Sequence, residues 1–152
     1  MSDGIVRSAQ ATSPTLGLPV GILRASSERE IEAAFDELSR NPGAALLVSV
    51  DPFFFTRRSQ VTALAARHAV PTIYYTREFP EVGGLISYGT DVENVCELIG
   101  VYTGRILKGE NPADLPVAQP TKFEMVINLK ASKALGLDIP DKLLALADEV
   151  IE

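Results

Sequence analysis

The chain has 152 residues, 46% apolar and 22% charged, the balance of one globular domain large enough to bury a core. Its formal net charge of −6, with no clustered basic stretch, excludes a nucleic-acid partner, whose phosphates call for grouped Lys and Arg. One cysteine, Cys96, and one histidine, His68, leave no internal disulfide and no metal-ligand spacing, so neither a metal nor a cofactor is expected.

Residues 1–16 (MSDGIVRSAQATSPTL) show no periodicity and no secretory pattern, and they read as a flexible leader before a single lobe at 17–152. No stretch is long and apolar enough to span a membrane. LPVGIL (18–23), AALLVSV (44–50) and PTIYY (71–75) are short apolar runs with centres about 26 residues apart, the span of a βα unit. Because they are continuous rather than alternating, they predict strands buried on both faces, as in a parallel sheet covered by helices.

Between the first two runs, Ser27 and Glu30 have capping-box spacing. Ile31, Ala34, Phe35 and Leu38 then fall on one helical face, and Asn41-Pro42-Gly43 stops the helix. Residues 58–69 repeat the pattern with Val61, Leu64, Ala65 and His68; the histidine reads as a helix-end residue near the carbonyl dipole. GLISYG (84–89) predicts a fourth strand. The longest helix follows at 91–108, with Val95, Leu98, Ile99, Tyr102 and Ile106 as its stripe and Cys96 as a buried thiol.

NPADLPVAQP (111–120) is an extended connector. FEMVI (123–127) predicts a fifth strand, Asn128 caps a short helix ending at Leu135-Gly136, and Pro140 opens a last helix at 140–150. The predicted fold is α/β: a Rossmann-like, three-layer arrangement around a mostly parallel sheet of about five strands.

Open parallel sheets bind ligands beyond the carboxyl ends of their strands. The second predicted strand delivers Asp51, Pro52 and three phenylalanines; the third delivers Thr76, Arg77 and Glu78; the fourth delivers Tyr88, Gly89, Thr90 and Asp91. Carboxylates suit an ammonium, arginine or backbone N–H groups suit an acid, and aromatic faces suit an apolar body, so the rim fits a small zwitterion or amphiphile. No nucleophile is placed beside a base and no Gly-rich phosphate loop occurs, so no enzyme activity is expected. Each acid also has a plain structural role open to it, as a helix cap or a solvated loop residue.

The stretch ADLPVAQPTKFEMVINLKASKALGLDIPDKLLALADEVIE (113–152), with DPFFFTRRSQVTALAARHAVPTIYYTREF and GGLISYGTD before it, resembles the substrate-binding proteins of ABC transporters, in the branch related to tryptophan- and tyrosine-binding proteins. The resemblance runs from about residue 18 to the end. It implies one lobe of a periplasmic-binding-protein class I clam-shell, with segments crossing between lobes at 92–128. It also implies a non-enzymatic role in delivering a small solute, often an amino acid, to a membrane permease outside the cytoplasmic membrane. By position it carries Asp51, Glu78 and Asp91 to the cleft and Tyr88-Gly89 to the loop beneath the ligand; the ligand-binding set is Asp51, Phe53, Phe54, Arg77, Glu78, Tyr88, Gly89 and Asp91.

The first lobe of the family and the opening strand of the second have no counterpart in these 152 residues. One lobe offers half the contacts, so weak ligand binding is expected. In the family, the segment around 92–120 docks on the first lobe. Leaving its five large apolar side chains uncovered forgoes on the order of 7–15 kcal/mol, as much as a whole domain's stability. A homodimer through the 92–108 helix is therefore expected. The alternative reading is a stand-alone dimeric interaction or sensory module with no transport role.

Overall fold

Three adjacent parallel strands frame the molecule. The structure, a computed structural model, describes residues 3–152. Helices α1 (Asp3–Leu16) and α2 (Glu28–Ser39) precede strand β1 (Leu46–Leu47), the short α3 (Pro52–Thr56) and α4 (Arg58–Arg67). Strand β2 (Thr72–Tyr74), α5 (Glu78–Glu81), β3 (Ile86–Thr90) and the long α6 (Val92–Leu107) follow. A 3₁₀ turn at Pro112–Asp114 leads to β4 (Phe123–Asn128), α7 (Leu129–Ala134), α8 (Asp141–Leu144) and β5 (Glu149–Ile151).

The sheet order is β1-β2-β3-β4-β5. Strands β1, β2 and β3 are mutually parallel, β4 runs antiparallel to β3, and β5 is parallel to β4. The chain is thus an α/β lobe with a mostly parallel five-stranded sheet and flanking helices, as its sequence predicts.

Local chemistry explains the helices. The Ser27 hydroxyl accepts from the Glu30 N–H at 3.3 Å and starts α2. The Glu30 carboxylate reaches back one residue further than a capping box requires, to the Ser26 N–H at 2.6 Å and the Ser26 hydroxyl at 2.7 Å. Ile31 and Phe35 on α2 meet Val61, Leu64 and Ala65 on α4, and with Tyr74 and Phe79 they form the buried cluster on one face of the sheet. Each such side chain stabilises the fold by roughly 1.5–3 kcal/mol. His68 ends α4 as expected, half-buried, with its ring stacked 6.2 Å from that of Phe35.

Four segments depart from the sequence expectation. The described part of the leader is helical, as α1. LPVGIL (18–23) is not a strand: it is irregular, with Leu18 and Val20 exposed. Strand β1 is the sheet edge, and a small apolar groove of about 60 Å³, lined by Leu23, Ala25, Phe35, Leu47 and Phe54 among others, separates it from this run. LPVGIL therefore has a strand's composition without the ladder of partners, about 5 Å away, that makes a strand.

The helix expected over 140–150 is limited to Asp141–Leu144. The chain turns there, the Asp148 N–H donates to the Met125 carbonyl at 2.9 Å, and Glu149–Ile151 joins the sheet beside Val126–Asn128. Pairing along β4 outweighs the helical pattern, and β-branched Val150 and Ile151 suit the ladder. Finally, Cys96 is exposed rather than buried, because no residue of α6 is buried.

Candidate functional site

Since β1, β2 and β3 point the same way, the segments that leave them emerge along one border of the sheet. Asp51 lies four residues past β1. Its carboxylate accepts from the Phe53 N–H at 2.8 Å and starts α3, with Pro52 at the first helical position, where a missing N–H costs nothing. This short helix fans the three phenylalanines apart at about 100° per residue. Phe53 lies under the Arg57 guanidinium at 4.2 Å, Phe55 under Arg58 at 5.1 Å, and Phe54 turns toward the groove beside β1.

Tyr75 joins the three strand ends. Its hydroxyl donates to the Asp51 main-chain carbonyl at 3.2 Å. Its own carbonyl lies so close to Gly89 that a β-carbon there would meet it at 1.8 Å. Burial raises the Tyr75 hydroxyl pKa, the hydrogen bond to the Asp51 backbone opposes this, and the Asp51 and Glu78 carboxylates add to the rise. Glu78 itself accepts from the Thr76 hydroxyl. Asp51, Tyr75, Glu78 and Gly89 therefore form one neighbourhood.

Arg77 is engaged elsewhere. Its guanidinium meets Glu81 at 2.9 Å, Glu124 at 2.6 Å and also Glu149, tying α5 to β4 and β5. With three carboxylates around it, the expected acid-binding arginine is a structural hub. Glu124 has its pKa raised, first by burial, with Asp91, Asp148 and Glu149 adding to the shift and Arg77 opposing it.

Asp91 starts α6, accepting from the Asn94 N–H at 3.0 Å, and pairs with Lys122 at 2.6 Å. The Lys122 hydrogen bond, first, and the Asn94 N–H hold its carboxyl below the usual range. Tyr88 is 51% exposed and stacks on Phe123 at 5.6 Å, so the two rings make an open aromatic face on β3 and β4.

The rim thus brings Asp51, Glu78 and Gly89 toward Tyr75, holds Phe53 under Arg57, and sets Arg77, Tyr88 and Asp91 on its β4 side. Sequence reasoning missed Tyr75, Lys122, Phe123 and Glu124. Tyr75 is the last residue of an apolar run and reads as strand interior. The other three enter the rim only because β4 runs antiparallel, which FEMVI alone does not reveal.

Residues 2–151 match the family described as ABC transporter substrate binding protein. The chain belongs to that family. Among solved structures, this substrate-binding-family chain is similar to an ABC domain from Streptococcus pneumonia in complex with L-Trp, at 28% identity and a TM-score of 0.84, over 97% of this chain and 51% of that one. A conserved domain protein from Vibrio cholerae has a TM-score of 0.81 at 21% identity, over 97% and 49% of the two chains. A substrate binding protein with adhesive properties from Clostridium difficile, in a ligand-free, open form, has a TM-score of 0.69 at 23% identity, over 96% and 48%. These last two likenesses concern the fold. The chain spans about half the length of the solved chains it matches. No curated protein matches it.

Proposed function

We propose that the chain is a solute-binding lobe of an ABC-type uptake system, holding a small molecule such as an amino acid at the carboxyl rim for delivery to a permease, without chemistry. The observation that carries this reading is the contact chain Asp51–Tyr75–Gly89, which draws three strand ends into one neighbourhood with Glu78 beside it. Carboxylates attract an ammonium, and Phe53 offers a ring for an apolar body. Family membership and the L-Trp complex of a 28% identical relative support an aromatic amino acid as the first ligand to try. His68 lies at the end of α4 against Phe35 and takes no part, which favours binding over catalysis.

In this reading Asp51 and Glu78 face the ligand's amine, Phe53 offers its ring, Phe54 lines the groove beside β1 instead, and Gly89 lets the chain at Tyr75 come close enough to hold the acids in place. Tyr88 supplies an aromatic wall, while Arg77 and Asp91 hold the rim in shape. The test is a thermal-shift and calorimetric screen of L-tryptophan, L-tyrosine and other amino acids. Asp51→Asn is the diagnostic variant, because asparagine keeps the cap and removes the charge. Stabilisation by one ligand that Asp51→Asn abolishes supports the reading; silence across the screen, or binding indifferent to Asp51→Asn, overturns it.

A second reading, a dimeric interaction module, is favoured by α6. That helix buries none of its residues and exposes Val92, Ile99, Val101 and Leu107 by more than half. Pairing of two α6 helices supplies the missing cover, and the two readings are compatible in one molecule.

A further inference from the structure

The rim offers the two charges of an amino acid very different surroundings. Around Tyr75 the charged groups are carboxylates. Its hydroxyl donates to the Asp51 main-chain carbonyl at 3.2 Å; burial raises its pKa, and the Asp51 and Glu78 carboxylates raise it further. The Thr76 hydroxyl holds Glu78 in place. Asp51 and Glu78 are both half-buried, so each keeps part of its surface open to a ligand and is only partly screened by solvent.

The seats that a ligand's carboxylate would need are occupied. Main-chain N–H groups at the start of a helix attract anions. At α3 the Asp51 carboxylate takes the Phe53 N–H at 2.8 Å, and at α6 the Asp91 carboxylate takes the Asn94 N–H at 3.0 Å. The cations of this border are committed as well. Arg77 meets Glu81, Glu124 and Glu149, and Lys122 meets Asp91 at 2.6 Å. Arg57 lies over the Phe53 ring and 3.4 Å from Glu28, and Arg58 donates to the Phe55 carbonyl at 3.2 Å. Glu124 keeps a raised pKa even with Arg77 beside it, first through burial and then through Asp91, Asp148 and Glu149, so the β4 side holds negative charge in excess.

We infer that the rim selects an ammonium and rejects a carboxylate: its ligand class is a primary amine on an apolar or aromatic body, held more tightly than the corresponding amino acid. This rests on the rim reading and narrows it. An ammonium at Asp51 and Glu78 gains charge-assisted hydrogen bonds. A carboxylate on the same ligand meets like charges, and it reaches a donor only by displacing a helix cap or an ion pair, which leaves the displaced group unsatisfied.

Tryptamine, L-tryptophan, L-tryptophan methyl ester and indole-3-propionate separate the two charges on one indole body. The chain contains no tryptophan, so the fluorescence anisotropy of each indole reports its binding to the full chain. Tryptamine and the ester are expected to bind about tenfold more tightly than L-tryptophan, the order of one like-charge contact at a half-exposed site, and indole-3-propionate is expected not to bind. High salt and Glu78→Gln are each expected to narrow the gap between tryptamine and L-tryptophan by roughly threefold. Asp51→Asn is expected to abolish binding of all three amines, as the rim reading requires. L-Tryptophan binding as tightly as tryptamine, with both lost in Asp51→Asn, overturns the amine selectivity and leaves the rim reading standing. Binding of indole-3-propionate, or a gap unchanged by both high salt and Glu78→Gln, also overturns the selectivity. No binding by any probe, or binding indifferent to Asp51→Asn, overturns both.

Discussion

A β-carbon on Gly89 would lie 1.8 Å from the Tyr75 carbonyl oxygen, so β2 and β3 meet at the rim only because position 89 carries no side chain. The obstacle is backbone, which cannot rotate away. Gly89→Ala is expected to cost about 3 kcal/mol, the upper end for overpacking. Gly100→Ala on α6, where a β-carbon meets nothing within 4 Å, is expected to gain roughly 0.5–1 kcal/mol of helix propensity. Urea unfolding of the two variants checks the contrast. Equal losses at both positions would show that the close approach is not what makes Gly89 necessary.

Asp51 has two roles that substitution can separate. As the cap of α3 it accepts the Phe53 N–H, and Asp51→Ala is expected to destabilise the fold by about 1 kcal/mol. Asp51→Asn keeps an acceptor at the same place and is expected to cost at most a few tenths of a kcal/mol. Both remove the rim charge, so both are expected to abolish solute binding. If the alanine variant loses binding and the asparagine variant keeps it, the carboxylate is only a cap.

Two rim acids drive pH dependence in opposite directions. Asp91 has a depressed folded pKa, so its contribution is present above its unfolded pKa and is lost as pH falls through the lower folded value. Glu124 has a raised folded pKa: the fold favours its protonated form, and stability falls as pH rises from its unfolded value through the folded one. Asp91→Asn is therefore expected to flatten the acid limb of the stability–pH curve. Glu124→Gln is expected to remove the decline with rising pH just above the usual glutamate range. Denaturation midpoints across the carboxylate range decide it; if both variants shift the same limb, the assignment of opposite signs is wrong.

The frame of the lobe was legible because its signals are local. Apolar runs marked β1, β2, β3 and β4, and Ser27, Asp91 and Asn128 marked helix starts that the structure retains. What failed depends on distant partners. LPVGIL has the composition of a strand but no neighbouring strand, and Glu149–Ile151 became β5 because β4 offered an edge. The rim followed the same division. Asp51, Glu78 and Gly89 could be placed from strand ends alone. The engagement of Arg77 by Glu124 and Glu149 arises between elements up to 72 residues apart and leaves no mark in local sequence.

The exposed α6 yields the last prediction. Its amino-terminal half carries Glu93 and Glu97, its carboxyl-terminal half Arg105 and Lys108, and Gly100 lies near the middle. Two copies crossing antiparallel near the middle of the helix cover Val92, Ile99 and Ile106, which share one face at seven-residue spacing, and set Glu93 of one helix near Lys108 of the other. A homodimer is expected in light scattering. Ile99→Glu is expected to give a monomer by placing a charge at the crossing. Glu93→Lys is expected to weaken the dimer, and adding Lys108→Glu to restore it, since the double exchange recreates the opposite-charge pairs. A monomeric wild-type chain refutes the dimer, and a dimer unaffected by Ile99→Glu places its interface on another surface.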